Sequence, residues 1–187
     1  MISVIIPTNN RVNLLKNAIE SVLKLIDEAE FEFIIVDNNS TDDTRQLVES
    51  YRDYAMYAFE SRTSFTRARK TGAEIASGDI LLYLDDDVIV YPGSLRNIED
   101  VFTRYSDCGV IAGKISPKYT QTPPIWTLKC QESFNGWSLF NKESVGEIKT
   151  DFQQVSWAAG PMMAIRKTAY DAVGGFPPDT VGVETNH

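Results

Sequence analysis

Apolar residues fall along the chain in two kinds of run: short unbroken ones, and longer ones with an apolar position every three or four residues. Ile2 to Ile6 is of the first kind, stops at Pro7, and reads as a strand buried on both faces. Leu14, Leu15, Ala18, Ile19, Val22, Leu23 and Ile26 are of the second kind, the stripe of an amphipathic helix. Phe31 to Val36 is again a short apolar run. Strand, helix and strand in this order make a βαβ unit, whose right-handed crossover sets the strands parallel with both carboxyl ends on one edge.

The alternation continues. Asp37 to Asp43 is a polar loop leading into a helix, with Ser40 or Thr41 placed to cap its free amides. A weaker strand near Tyr54 to Phe59 precedes a helix from about Thr66 to Ala76, whose Ala68, Thr71 and Gly72 permit close packing on a sheet and which Gly78 terminates. Ile80 to Leu84 reads as a fourth strand, Pro92-Gly93-Ser94 opens a helix carrying Leu95, Ile98, Val101 and Phe102, and Val110 to Ala112 reads as a fifth strand. The pattern is an α/β doubly wound half. From Lys114 to about Gln154 regularity is lost, with prolines and glycines among Tyr119, Trp126, Phe134, Trp137 and Phe140. Aromatics in such a segment anchor it to a core more often than they stack on a sugar. Strand-like order returns at Val155 to Ile165, followed by a short helix from Lys167 to Val173 and the turn Gly174-Gly175-Phe176. One domain is the economical reading.

Composition narrows the class of partner. With 187 residues, 43% of them hydrophobic and 24% charged, the chain can bury a core and is neither disordered nor fibrous. Its 26 acidic and 18 basic residues sum to −8, which argues against broad contact with nucleic acid or an anionic membrane while allowing a local phosphate site. No run approaches the length of a bilayer span, and Met1 to Pro7 has no basic leader. Cys108 and Cys130 match no metal or redox spacing and read as unpaired thiols in a reducing compartment.

Ligands of an open parallel sheet bind beyond the carboxyl ends of its strands. Three polar clusters stand there: Pro7-Thr8-Asn9-Asn10-Arg11, Asp37-Asn38-Asn39-Ser40 and Asp85-Asp86-Asp87. Three successive carboxylates repel one another unless cations or donors offset them. A divalent ion does this, and hard oxygen ligands favour Mg²⁺ or Mn²⁺, which bind substrate phosphates at the same time. If the segment is extended, Asp85 and Asp87 face one ligand while Asp86 turns elsewhere; the bland alternative is a solvated acidic turn. Asp37 can accept from a base N–H or a ribose hydroxyl, or merely cap the next helix. Arg62, Arg67, Arg69 and Lys70 form a basic group near a helix N-terminus, which suits a diphosphate, although Arg62 and Lys70 read better as solvated. Asp79 is placed to pair with one of these arginines.

In this order the residues resemble the family 2 glycosyltransferases, whose catalytic domain has the GT-A fold, a mostly parallel sheet flanked by helices. The resemblance runs from Ser3 to about Phe176 and rests on Ser3-Val4-Ile5-Ile6-Pro7-Thr8, Ile35-Val36-Asp37-Asn38-Asn39-Ser40-Thr41-Asp42, Ala68-Arg69-Lys70-Thr71-Gly72, Ser77-Gly78-Asp79, Leu84-Asp85-Asp86-Asp87, Gly160 and Gly174-Gly175-Phe176. It implies a single domain over 1–187, with a nucleotide-binding half over about 1–113 and an acceptor-side half over about 114–187. Asp37 would contact the nucleotide base, framed by Pro7, Thr8 and Arg11. Asp85, with Asp86 beside it, would hold the ribose, Asp87 the metal, and Arg69 would lie near the nucleotide. Gly160, with Trp157 close by, would sit on the acceptor side of the donor sugar.

The resemblance further implies a nucleotide-diphosphate sugar donor, a uridine nucleotide by preference, and a carbohydrate or lipid-linked acceptor. It implies a cytoplasmic setting, either free or at the cytoplasmic face of a membrane. Two departures stand out. Arg62-Thr63-Ser64 replaces the Asn-x-Gly that many members carry before the Ala-Arg pair. The late Glu-Asp motif that supplies the family's catalytic base is absent after Gly175, leaving Glu184 as the candidate base, with Asp179 the other acid nearby. Since members usually continue with further helices, the chain to His187 is expected to be an incomplete catalytic domain. The expected chemistry is metal-assisted departure of the diphosphate with a carboxylate taking the acceptor proton, giving inversion. A non-catalytic nucleotide-sugar-binding module is the alternative. A sugar nucleotidyltransferase fits less well, since it would open with a Gly-rich loop and Pro7 to Arg11 holds no glycine.

Overall fold

Eleven elements follow one another in the computed structural model, which describes residues 1–113, 115, 118, 119, 121–125 and 160–177. They are Ile2–Thr8 (β1), Val12–Leu23 (α1), Phe31–Asp37 (β2), Thr44–Ser50 (α2), Met56–Phe59 (β3), Phe65–Ile75 (α3), Ile80–Leu84 (β4), Ser94–Arg104 (α4), Val110–Ala112 (β5), Met162–Arg166 (β6) and Lys167–Ala172 (α5). The strands form one sheet in the order β3-β2-β1-β4-β6-β5. β1 pairs parallel with β2 and with β4, and β2 parallel with β3, whereas β6 runs antiparallel to both β4 and β5. The sheet is thus mixed, with its parallel part supplied by the first four strands.

Burial explains the unbroken apolar runs. Along β1, β2 and β4, Val4, Ile6, Phe33, Ile35, Leu82 and Leu84 face one side, where Leu15, Ile19 and Val22 of α1, Val48 of α2, and Leu95, Ile98 and Phe102 of α4 cover them. Ile5, Ile34, Val36, Leu81 and Tyr83 face the other, against Ala68 and Ala73 of α3, with Tyr170 and Phe176 packed alongside. Neither face is left to solvent, so successive positions are apolar instead of alternating. Gly72 brings α3 close to the sheet, since a Cβ there would run into Ile5 Cγ2. Arg166, at the end of β6, donates to the carbonyls of Phe102, Tyr105 and Cys108 and so satisfies acceptors left open at the end of α4.

Several boundaries differ from the sequence expectation for physical reasons. β1 runs on through Pro7 to Thr8, because pairing with β4 stops at Ile5↔Tyr83 and the strand beyond has a partner on one side only. α2 starts at Thr44, not near Thr41, and neither Ser40 nor Thr41 caps it. Those two residues bond instead to the loop after β1: Ser40 Oγ accepts from Asn10 N, and Thr41 N donates to Asn10 Oδ1. α3 ends at Ile75, before Gly78, whose place is explained by contact with Ser3 and not by termination. Asp79 meets the Met1 ammonium at 3.3 Å and no arginine. Cys108 is a free thiol; Cys130 and residues 155–159 of the last expected strand lie outside the described residues. Among the described residues no helix is long and apolar enough to cross a membrane.

Candidate functional site

The parallel register brings the ends of β1 and β2 level, with Thr8 opposite Asp37, and the loops beyond are laced together. Asn38 N donates to Thr8 O at 2.8 Å, and Asn9 Nδ2 to Asn38 O at 2.7 Å. Asp42 bridges two elements, accepting from Val12 N at the start of α1 and from Thr44 at the start of α2. Burial acts to raise the Asp42 pKa, but these hydrogen bonds prevail and hold it below its ordinary value. Asn10 and Asn39 take positive φ angles of 54° and 62° in these loops, a conformation asparagine tolerates better than most residues.

Asp37 is buried, and both its oxygens are engaged. Oδ1 accepts from Ser40 N at 2.8 Å and Oδ2 from the Tyr57 hydroxyl at 2.8 Å. Burial first, and then this bond to a carboxylate, push the Tyr57 phenol up to about 12. Asn38, also buried, donates to Arg62 O and accepts from Ser64 N, which fixes the chain between β3 and α3.

At the end of β4 the three aspartates do not continue as a strand. Val88 N donates to Asp85 O at 3.1 Å, closing a turn, and the turn in place of extended alternation sends the side chains different ways. Asp86 points inward: its residue is 4% exposed, Oδ2 accepts from Thr8 Oγ1 at 2.8 Å and Oδ1 from Arg11 Nη1 at 2.7 Å. Arg11 also reaches Asp87 Oδ2 at 3.2 Å, and the bond to Asp86 leads the causes that raise its pKa. The Asp87 and Arg11 side chains are 45% and 49% exposed, and that of Asp85 25%. Burial raises the Asp85 pKa, the Arg69 guanidinium opposes this at 3.2 Å, and the charges of Asp87 and Asp86 add to the rise. The arrangement leaves Asp87 and Arg11 open and Asp85 partly exposed on the carboxyl edge between β1 and β4, with Pro7, Thr8, Asp37, Asp86 and Arg69 buried behind them.

The family model described as Glycosyl transferase family 2 matches residues 3–174. The chain belongs to that family. Within family 2, it is 34% identical over 103 residues to a validoxylamine A glucosyltransferase of Streptomyces hygroscopicus subsp. jinggangensis, an alignment covering 52% of this chain and 24% of the relative. S. aureus TarS in complex with UDP-GlcNAc superposes with a TM-score of 0.72 at 23% identity, over 95% of this chain and 48% of that one. A mannosyltransferase of Pyrobaculum calidifontis in complex with GDP-Man and Mn²⁺ gives 0.67 at 19% identity, again over 95% of this chain and 48% of that one. These likenesses show the GT-A fold. The chain spans about a quarter of the curated relative and about half of each solved structure.

In this family 2 domain the three clusters named from the sequence meet on one edge, through the Thr8–Asp86, Arg11–Asp87 and Asn9–Asn38 bonds. The basic group does not stay together. Arg69 is buried against Asp85 and Gly160, whereas Lys70 turns out toward Glu74 at 3.9 Å. Gly160 is described; Trp157 and Glu184 lie outside the described residues. Sequence reasoning missed Asn10, Asn38, Asp42 and Tyr57 as the residues that hold the loops. Asn10 and Asn38 carried a signal, as asparagines in loops directly after strands. Nothing local marked Tyr57, which acts across the sheet.

Proposed function

We propose that the chain binds a nucleotide-diphosphate sugar, a uridine nucleotide by preference, at the carboxyl edge between β1 and β4 and transfers the sugar to an acceptor hydroxyl with inversion. The observation that carries this is the surplus of carboxylate there: Asp87 is nearly half exposed and Asp85 partly so, with the half-exposed Arg11 beside Asp87. Family membership and the nucleotide-sugar complexes of TarS and the mannosyltransferase support the same reading.

The residues present fit a divalent cation. Among the described residues no group of three or more His, Cys, Asp or Glu forms a cage, but Mg²⁺ and Mn²⁺ are commonly held by one or two carboxylates with phosphates completing the shell. Asp87 would be the ligand, with Asp85 beside it toward the ribose. When bound, the ion would neutralise charge growing on the departing diphosphate. The protein does the rest by position. Asp86 holds Arg11 and Thr8, so the Arg11 guanidinium stands ready beside Asp87 without a search among rotamers. Asp37, held by Ser40 and Tyr57, would be the carboxylate nearest the base, its remaining lone pairs the ones left to accept from it. A carboxylate on the far side of the sugar takes the acceptor proton, and Glu184 is the candidate.

Calorimetry with UDP, with and without Mn²⁺, tests the assignment. Asp87→Ala is expected to abolish the gain in affinity that Mn²⁺ gives, whereas Asp86→Ala keeps most of it in the folded protein. Equal losses from the two substitutions would refute the division of roles. Binding without release of UDP from a UDP-sugar in the presence of acceptors would mark a binding module and not a transferase.

A further inference from the structure

Tyr57 stands opposite Ile35 in the parallel register of β2 and β3, and Phe59 opposite Asp37, so the tyrosine lies two positions behind the carboxylate on the edge strand. Residues opposite in register or two apart share a face, and Tyr57 packs with Ile35 on the side covered by α1 and α2. Two positions along a strand are about 7 Å. A tyrosine leaning along its strand spans that offset, where a serine or threonine falls short. Its hydroxyl reaches Asp37 Oδ2 at 2.8 Å. The ring is held as well: the guanidinium carbon of Arg45 on α2 lies 5.7 Å from its centre, and Arg45 is itself tied to Glu49 at 2.8 Å.

Asp37 is 2% exposed, so its charge has to be met by protein groups. Its two bonds differ in origin. Ser40 N, from the same loop, donates to Oδ1, and Tyr57, from the next strand, donates to Oδ2. A carboxylate has about two acceptor positions on each oxygen, so each oxygen retains one. The last torsion of aspartate is broad, and a single donor leaves the group free to swing. Donors on both oxygens fix its plane. The direction of the remaining acceptor positions is therefore set by Tyr57 as much as by Asp37 itself.

We propose that Tyr57 is a positioning residue for the nucleotide base: its hydroxyl sets the Asp37 carboxylate to favour a base with an N–H on its pairing edge, as in uracil, over one with a lone pair there, as in cytosine. Tyr57 acts through Asp37 and does not touch the nucleotide. The inference rests on Asp37 as the base carboxylate and goes beyond it in giving base selectivity to a residue of the edge strand. On that reading the diphosphate is held elsewhere, by Arg11 and the aspartates after β4, so base preference and diphosphate affinity are separable.

UDP and CDP share ribose and diphosphate and differ at the pairing edge, so the ratio of their affinities with Mn²⁺ reads the base alone. Calorimetry measures it for the unaltered protein, Tyr57→Phe, Asp37→Ala and the double variant. Tyr57→Phe removes one oxygen and keeps the ring. It is expected to weaken UDP about tenfold, the scale of one hydrogen bond to a charged group, and to leave CDP within about twofold. Asp37→Ala is expected to abolish the preference, and the double variant to match it within about twofold. An unchanged ratio in Tyr57→Phe would make the tyrosine structural only and overturn the proposal. A further fall in the double variant, meaning direct contact with the base, would overturn it too, as would equal affinity of the unaltered protein for UDP and CDP. If Asp37→Ala leaves the ratio unchanged, the base reading of Asp37 fails and the proposal with it. The Ser40 amide gives a readout independent of nucleotide and of whether Asp37→Ala folds. Its hydrogen exchange is expected to quicken about tenfold in Tyr57→Phe, with β1 amides unchanged, and equal protection would overturn the positioning role. If the unaltered protein binds no UDP with Mn²⁺, the nucleotide-sugar reading fails, and the Ser40 exchange still decides whether Tyr57 sets the carboxylate.

Discussion

The two ends of the parallel strands carry polar residues in opposite balance. At the amino edge the Glu32 carboxylate is closed in by donors: Glu32 Oε1 accepts from Ser3 Oγ at 2.5 Å, Ser77 N at 2.6 Å and Gly78 N at 3.2 Å, while Asp79 meets the Met1 ammonium. Burial acts to raise the Glu32 pKa, but these hydrogen bonds outweigh it and hold the group below its ordinary value. At the carboxyl edge three successive carboxylates share two arginines, and the Asp85 pKa is raised. Polarity beside a strand is therefore not what marks a site. A closed set of donors and acceptors serves the fold, and a set with unmatched charge is poised for a ligand.

The comparison predicts that substitutions at the two edges fail differently. The largest effect belongs to Asp87→Ala, which should lower turnover by about a hundredfold or more, the scale of losing metal-assisted stabilisation of a leaving group. UDP release from a UDP-sugar at saturating Mn²⁺ measures it. Since Asp87 is nearly half-exposed, the melting temperature should barely change, and a large fall in stability instead would show that this edge too is structural. The opposite outcome is expected at the amino edge. A Cβ on Gly78 would lie 2.5 Å from Ser3 Oγ and 2.8 Å from Met1 O, so Gly78→Ala should remove about 2 kcal/mol or more of stability. Urea unfolding reads this loss, and UDP affinity of the folded fraction should be retained.

Asp86→Ala sharpens the contrast within the carboxyl edge itself. Asp86 is closed where Asp87 is open, and its loss leaves the buried Thr8 hydroxyl without its acceptor. The expected cost is about 1–3 kcal/mol, seen in the same urea titration, with Arg11 still able to reach Asp87. A variant of unaltered stability would mean that Thr8 and Asp86 are not coupled.

Much of this arrangement was legible in the sequence, and the limits have a common cause. The βα alternation, β4 at Ile80–Leu84 and β5 at Val110–Ala112 follow from local apolar runs, and the meeting of three polar clusters follows from the direction of parallel strands. Parallel pairing does not tell which aspartate of Asp85, Asp86 and Asp87 turns inward, since that depends on the Asp85–Val88 turn and on Arg11 arriving from another loop. Nor does it reveal that Ser40 and Thr41 bond to Asn10 in preference to capping α2. Arg69 looked like a member of a basic patch because its burial comes from Phe65, Tyr83 and Phe176, which lie far apart in sequence.

The smallest expected effect is on the pH dependence of stability, and it separates the edges by sign. A carboxylate whose folded pKa lies below its ordinary value of 4.5, as for Glu32, stabilises the fold above that value, and the contribution is lost as pH falls through the folded pKa. Glu32→Gln should therefore flatten the fall in melting temperature between about pH 5 and pH 3 by a few degrees. Some fall should remain, because Asp42 is depressed in the same way. Asp85 acts in the opposite sense: its folded pKa lies above the ordinary 3.8, so acid relieves an unfavourable buried charge and partly offsets the loss elsewhere. Asp85→Asn removes that relief and should make the fall steeper. Melting curves of the two variants in chelator-containing buffer should diverge from the unaltered protein in opposite directions. A change of the same sign in both would mean that the two edges do not differ in charge balance.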